Sequence, residues 1–192
     1  MVFITESQVR SFAGSAGVQF AESELRKVAM AAAPHEFDVF LSHAYVDAQL
    51  VLGVKVMLER LGLRVYVDWI IDNELDRSKV TVETASKLRE RMGQCESLIY
   101  VATSASPFSK WMPWELGYFD GLKPNKVAIL PIVKLVGDTF PQQEYLDLYP
   151  RFGDTITLSD GLVAPRMRLK DGSALTVTKF IESGAWKTAP KK

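Results

Sequence analysis

The chain has 192 residues, 47% of them hydrophobic, which is enough for one domain with a sizeable buried core. Its 23 lysines and arginines balance 23 aspartates and glutamates, and this zero formal charge argues against a dedicated nucleic-acid binder, which would carry a basic excess. The single cysteine, Cys95, excludes an internal disulfide, the polar start MVFITESQVR does not read as a secretory signal, and no run reaches the ~20 apolar residues of a membrane span, so a reducing cytoplasm is the expected compartment.

Residues 1–34 read as an N-terminal helical extension. Glu22–Ala33 is rich in helix formers, and Pro34 blocks its continuation. A main domain is expected over residues 35–188. FDVFLS (Phe37–Ser42) is a short apolar run with aromatic and β-branched residues, as in a buried strand. Asp47 is placed to cap a helix over Ala48–Leu61, and Gly62 supplies its stop. LRVYVDW (Leu63–Trp69) reads as a second strand, Ile70–Ser78 as a polar loop and Val80–Met92 as a helix. Ser97–Thr103 is the third strand, Ser109–Gly121 begins the third helix of this region, and Lys126–Val133 is the fourth strand. This alternation predicts parallel strands joined by right-handed crossovers, with helices on both faces. Pro131 predicts an edge position or a bulge for the fourth strand. Further on, Thr155–Leu158 suggests a short strand and Ser173 a cap for a last helix to about Glu182.

Ligands of open parallel sheets bind outside the carboxyl ends of the strands. That rule points to Ser42–Asp47, to Asp68 and Trp69 with the loop behind them, and to Thr103–Ser109. Proline is tolerated only in a helix's first turn, so Pro113 sets the start of the third helix near Ser109–Met112 and puts Glu115 at the same rim. Glu115 stands among Trp111, Trp114, Tyr118 and Phe119. Either it complements the helix dipole from the surface, worth ~0.3–1 kcal/mol, or the rings wall a cleft that needs its charge. Other templates fail. The chain has no glycine-rich phosphate loop, and two histidines with one cysteine make a poor zinc set. Ser42 and His43 are sequence neighbours and point apart on a strand end, so no serine triad is suggested. Asp68, Asp72, Glu74 and Asp76 match the spacing of no metal loop.

Three segments together resemble the TIR (Toll/interleukin-1 receptor) domain family in its bacterial form. FDVFLSHAYVD (Phe37–Asp47) resembles its first box, LGLRVYVDW with IIDNELDRS its second strand and following loop, and SKWMPWEL (Ser109–Leu116) its serine–tryptophan–x–x–x–glutamate–leucine motif. The likeness is good over 36–133 and weak over 134–186, and Pro113 departs from the motif. It implies an α/β fold, a flavodoxin-like three-layer sandwich around a mostly parallel sheet, with the helical extension as an addition.

The resemblance implies, for the family's enzymatic members, cleavage of the nicotinamide–ribose bond of NAD by the motif's glutamate, here Glu115. NAD is then substrate, and no metal or other cofactor is implied. Ser42, His43, Tyr45, Trp69, Ser104 and Trp111 are the candidate substrate-binding residues, with Trp111 also suited to packing. Further implied are head-to-tail homo-oligomers through the Ile70–Ser78 loop, a separate sensor or effector protein, and a role in anti-phage signalling of the Thoeris type. A pyridinium leaves NAD already cationic and departs neutral, so a single carboxylate suffices where ordinary glycosidases need two. The competing readings are a catalytically silent TIR interaction module and a nucleoside or nucleotide glycosidase of related architecture.

Overall fold

The computed structural model describes residues 2–15, 37–72, 80–140, 143–159, 161, 163–168 and 173–183. Five parallel strands form the central sheet in the order β1-β5-β4-β2-β3. They are β1 (Ile4–Thr5), β2 (Phe37–Ser42), β3 (Val65–Tyr66), β4 (Cys95–Ala102) and β5 (Val127–Val133). Without β1, the order β3-β2-β4-β5 is that of a doubly wound, flavodoxin-like sheet, whose switch point lies between β2 and β4. The expected fold class is the one observed.

Alternation along β2 sorts the two cores. Val39 and Leu41 face one layer, with Val9 of α1 (Glu6–Ser15), Leu50, Val54 and Met57 of α2 (Ala48–Glu59), and Phe180 of a late helix. Phe40 faces the other, with Leu88 and Met92 of α4 (Val82–Gly93) and Met112, Leu116 and Phe119 of α5 (Met112–Leu122). The short α3 (Asp68–Ile71) follows β3. A second, antiparallel sheet, β6 (Phe152–Thr157), β7 (Val163–Arg168) and β8 (Ala174–Thr176), leads into α6 (Val177–Ser183).

Several elements differ from expectation. The second strand is two residues long, and Asp68 and Trp69 belong to α3 instead. As an edge strand, β3 has a ladder with β2 alone, which ends at Phe40–Tyr66. The fourth strand is not an edge: β1 pairs with it at Ile132 and Val133. Ile129 donates its N–H to Pro150 on that same outer side, so the donor missing at Pro131 falls in a gap between two short pairings. Residues 174–176 are strand rather than the first turn of a Ser173-capped helix. Helix α5 begins at Met112 with Pro113 in its first turn, as the proline dictates.

The described part of the N-terminal segment is built into the main domain, through β1 and through α1 packed on α2. Gly53 of α2 permits that approach, since a Cβ there would stand 2.3 Å from the Val9 carbonyl oxygen. The helix expected over Glu22–Ala33 and most of the loop Ile70–Ser78 lie outside the described residues. Among the described residues, no helix is long and apolar enough to cross a membrane.

Candidate active site

The rim at the carboxyl ends of β2 and β4 gathers most of the polar side chains singled out above. Ser42 is the last residue of β2 and is paired in register with Tyr100 of β4. Glu115 enters from α5, one turn after Trp111, whose carbonyl accepts its backbone N–H at 2.8 Å. The Ser42 hydroxyl donates to Glu115 Oε2 at 2.6 Å, and both residues are 0% exposed. Met112, Glu115, Leu116 and Phe119 are the buried residues of α5, so the acid occupies the helix stripe that packs on the sheet. Neither expectation for Glu115 fits. It is no surface acid complementing the helix dipole, and it faces no open cleft.

The rings around it serve another purpose. Trp114 stacks on Tyr118 at 5.7 Å, and Trp111 meets Trp114 edge-on at 5.5 Å. Arg89 of α4 lies over Trp114, 5.3 Å from its centroid, and over Tyr118. This ladder joins α5 to α4 through stacking and cation–π contact. Trp111 is buried in the core on the α5 side of the sheet, in keeping with a packing role.

Ser42 and His43 diverge, as neighbours on a strand must. His43 is buried, with Nδ1 2.8 Å from the Leu41 carbonyl oxygen and Nε2 3.3 Å from Asp68 Oδ1. It therefore does not meet Glu115. Trp69 packs on the α1–α2 side of the sheet, the side away from Glu115. Tyr45 is 72% exposed, Val46 is exposed beside it and Phe108 is 86% exposed, in the two turns that follow β2 and β4. Ser104 is exposed in the second of these loops. Asp47 makes no cap hydrogen bond to α2; its carboxylate accepts from the Thr103 hydroxyl and ties the two loops together.

Two residues near the site escaped the sequence reading. Tyr100 lies next to Ser42 across the ladder, donates its hydroxyl to Gln143 at 3.0 Å, and has its phenol pKa pushed up by burial first, then by Tyr145 and Glu115. Gln143 comes from the segment after β5, where no periodicity exists to read. Register with Ser42 is the signal that identifies Tyr100, and it requires the strand pairing.

The suspected acidic cluster divides. Asp68 faces His43, whereas Asp72 is held by two Arg91 hydrogen bonds, at 2.7 and 2.6 Å, and by the Tyr66 hydroxyl at 2.8 Å. Glu74 and Asp76 lie outside the described residues. Among the described residues, no three histidine, cysteine, aspartate or glutamate side chains come together as metal ligands would.

A carboxylate buried in a core stripe costs stability unless it is hydrogen-bonded, and a neutral side chain would fill the place at less cost. No family model matches the chain. It is 57% identical over 115 residues to a Bacillus cereus (strain MSX-D12) protein named "Probable 3' cyclic ADP-D-ribose synthase ThsB'", a match covering 59% of each chain. It is 32% identical over 83 residues to a Cytobacillus dafuensis protein named "Putative cyclic ADP-D-ribose synthase TIR2", covering 43% of this chain and 22% of that one. The chain thus spans about three-fifths of the length of the first relative and about a fifth of the second.

Proposed function

We propose that this chain, a protein of the bacterial TIR type in sequence and fold, cleaves the nicotinamide–ribose bond of NAD and closes the remaining ADP-ribose into a cyclic product. The observation that carries the reading is Glu115, a fully buried carboxylate at the switch point in contact with Ser42. The kinship with proteins named as cyclic ADP-ribose synthases supports the choice of substrate.

The chemistry follows from the leaving group. The C–N bond breaks with both electrons going to the pyridinium nitrogen, so nicotinamide leaves neutral and needs no acid. Positive charge develops at the anomeric carbon, and Glu115 stabilises it and holds the ribose hydroxyls. A nucleophile elsewhere in the same molecule then bonds to that carbon and gives up its proton, for which Glu115 is the acceptor at hand. A site sealed from water favours this internal capture over hydrolysis to ADP-ribose.

In the single chain Glu115 is covered, and the substrate reaches it only if the Ser42–Glu115 contact yields. The exposed Tyr45, Val46 and Phe108 stand in the loops that would have to part or be covered. Activity is accordingly expected to depend on assembly with further copies or with a partner protein. The proposed setting is anti-phage signalling, the role implied by the TIR resemblance. A silent interaction module would carry the same closed carboxylate and would release no nicotinamide from NAD.

The test is incubation of concentrated protein with NAD, following nicotinamide by chromatography and the product by mass. The expected product is lighter than ADP-ribose by one water, and a folded Glu115→Ala variant yields none. ADP-ribose alone would replace the cyclase by a hydrolase, and absence of nicotinamide under every assembly condition would favour the silent module.

A further inference from the structure

We infer that Gln143 and Tyr145 form the subsite for the nicotinamide group of the substrate, beside Glu115, with the Gln143 amide and the Tyr145 hydroxyl meeting its carboxamide. The inference rests on the NAD reading of Glu115 given above.

The two residues reach the site through Tyr100. Tyr100 is paired in register with Ser42, and paired positions of neighbouring strands point to one face. Its ring therefore lies in the layer of Leu116 and Phe119, where α5 brings Glu115 against Ser42. The Tyr100 hydroxyl donates to Gln143 Oε1 at 3.0 Å. Burial first, then Tyr145, pushes the Tyr100 phenol up, and Glu115 adds to the effect, so Tyr100 stays protonated and holds the Gln143 oxygen.

Both residues have hydrogen-bonding capacity to spare. With Oε1 taken by Tyr100, the Gln143 NH2 is left without an acceptor among the described residues. The Tyr145 hydroxyl lies near enough to Tyr100 to perturb it, yet it is buried with no hydrogen bond among the described residues. A buried hydroxyl without a partner costs stability, and folds rarely leave one so. Ser106, also beside Tyr100, spends its hydroxyl on the Thr103 carbonyl at 2.9 Å. Tyr145 belongs to the 3-10 turn Glu144–Leu148, which Leu146 anchors in the core. Gln143 and Tyr145 are half-buried, so they link the surface to the covered Ser42–Glu115 pair.

Charge selects the part of NAD that fits. Tyr100, Ser106, Gln143 and Tyr145 are uncharged, and the charged group beside Tyr100 is the acid Glu115. Arg151, the cation closest in sequence to the segment, is paired with Asp147. A diphosphate would meet an acid here and gain no cation. The nicotinamide ring is cationic and aromatic and carries a neutral carboxamide. Tyrosine rings favour such a cation. The amide NH2 of Gln143 can donate to the carboxamide oxygen, and the Tyr145 oxygen can accept from the carboxamide NH2.

Equilibrium binding to folded Glu115→Gln protein, which is expected to hold NAD without cleaving it, tests the subsite. NAD and ADP-ribose, which lacks the nicotinamide, are titrated by calorimetry at the protein concentration used for the activity assay. Adding Tyr145→Phe is expected to weaken NAD about tenfold and to leave ADP-ribose unchanged, and adding Gln143→Leu to do the same. The urea midpoint of Tyr145→Phe should hold or rise, since the hydroxyl removed has no partner in the fold. Unweakened NAD binding in folded Tyr145→Phe, equal losses for NAD and ADP-ribose, or a lowered midpoint would each overturn the inference. Should the unaltered protein bind NAD but release no nicotinamide, the proposed activity fails, and the same titrations on the unaltered background decide the subsite. Absence of NAD binding overturns both.

Discussion

Ser42 and Glu115, 73 residues apart in sequence, meet through a 2.6 Å hydrogen bond at the carboxyl end of the sheet, and neither is exposed. One comes from the last position of a strand, the other from the first turn of a helix two crossovers later. The carboxylate sits where Met112, Leu116 and Phe119 show that an apolar side chain belongs.

Glu115→Gln should lose nicotinamide release while its urea midpoint holds or rises. The amide is neutral, nearly the same size, and still accepts from Ser42, so the cost of a buried acid is relieved. Chemical denaturation set beside the activity assay checks this. A clear loss of stability would mean that Glu115 is held for structure.

Ser42→Ala removes a donor from a buried carboxylate without leaving a large void. The expected loss is ~1–3 kcal/mol of stability, read from denaturant midpoints, together with reduced NAD cleavage. In a double-mutant cycle with Glu115→Gln the two changes should be non-additive, because the residues touch. Additive losses would show that the contact is energetically idle.

Asp72 offers a pH dependence. Burial alone would raise its pKa, but hydrogen bonds from Arg91 and Tyr66, with the nearby charges of Arg91 and Lys87, hold it below the usual aspartate value. Its folded form thus binds a proton less readily than its unfolded form. The stabilisation is fully present above the unfolded value, near ~4, and is lost as pH falls through the lower folded value. Asp72→Asn should cost ~1–3 kcal/mol near neutrality, since one amide oxygen replaces the carboxylate that accepts from both Arg91 and Tyr66. The difference from wild type should shrink as the solution is acidified below about pH 4. A gap between the two urea midpoints that stays constant with pH would refute the assignment.

Gly53→Ala should displace α1. The added Cβ would fall 2.3 Å from backbone at Val9, which cannot swing aside like a side-chain tip. The expected penalty is ~1–3 kcal/mol, measured as a lowered denaturation midpoint. In a variant lacking residues 1–15 the same substitution should cost little more than the truncation itself. A full penalty in the truncated chain would place the strain elsewhere.

The order of strands and helices was legible because apolar runs with β-branched residues, glycine stops and Pro113 act locally, through backbone sterics and burial of one face. So was the rim where Glu115 lies, because alternating strands and helices leave few topologies. Local pattern could not say that Ser42 would meet Glu115, that His43 would turn to Asp68, or that Asp47 would hold Thr103 rather than cap its own helix. Each of those pairs is fixed by strand register and by the crossing of helices over the sheet, and side chains far apart in sequence satisfy their polar atoms with whatever that packing brings near. For the same reason the chain's aromatic motif revealed a helix but not its orientation. Only the packed structure decided that Trp114 and Tyr118 would face Arg89 while the acid between them turned inward.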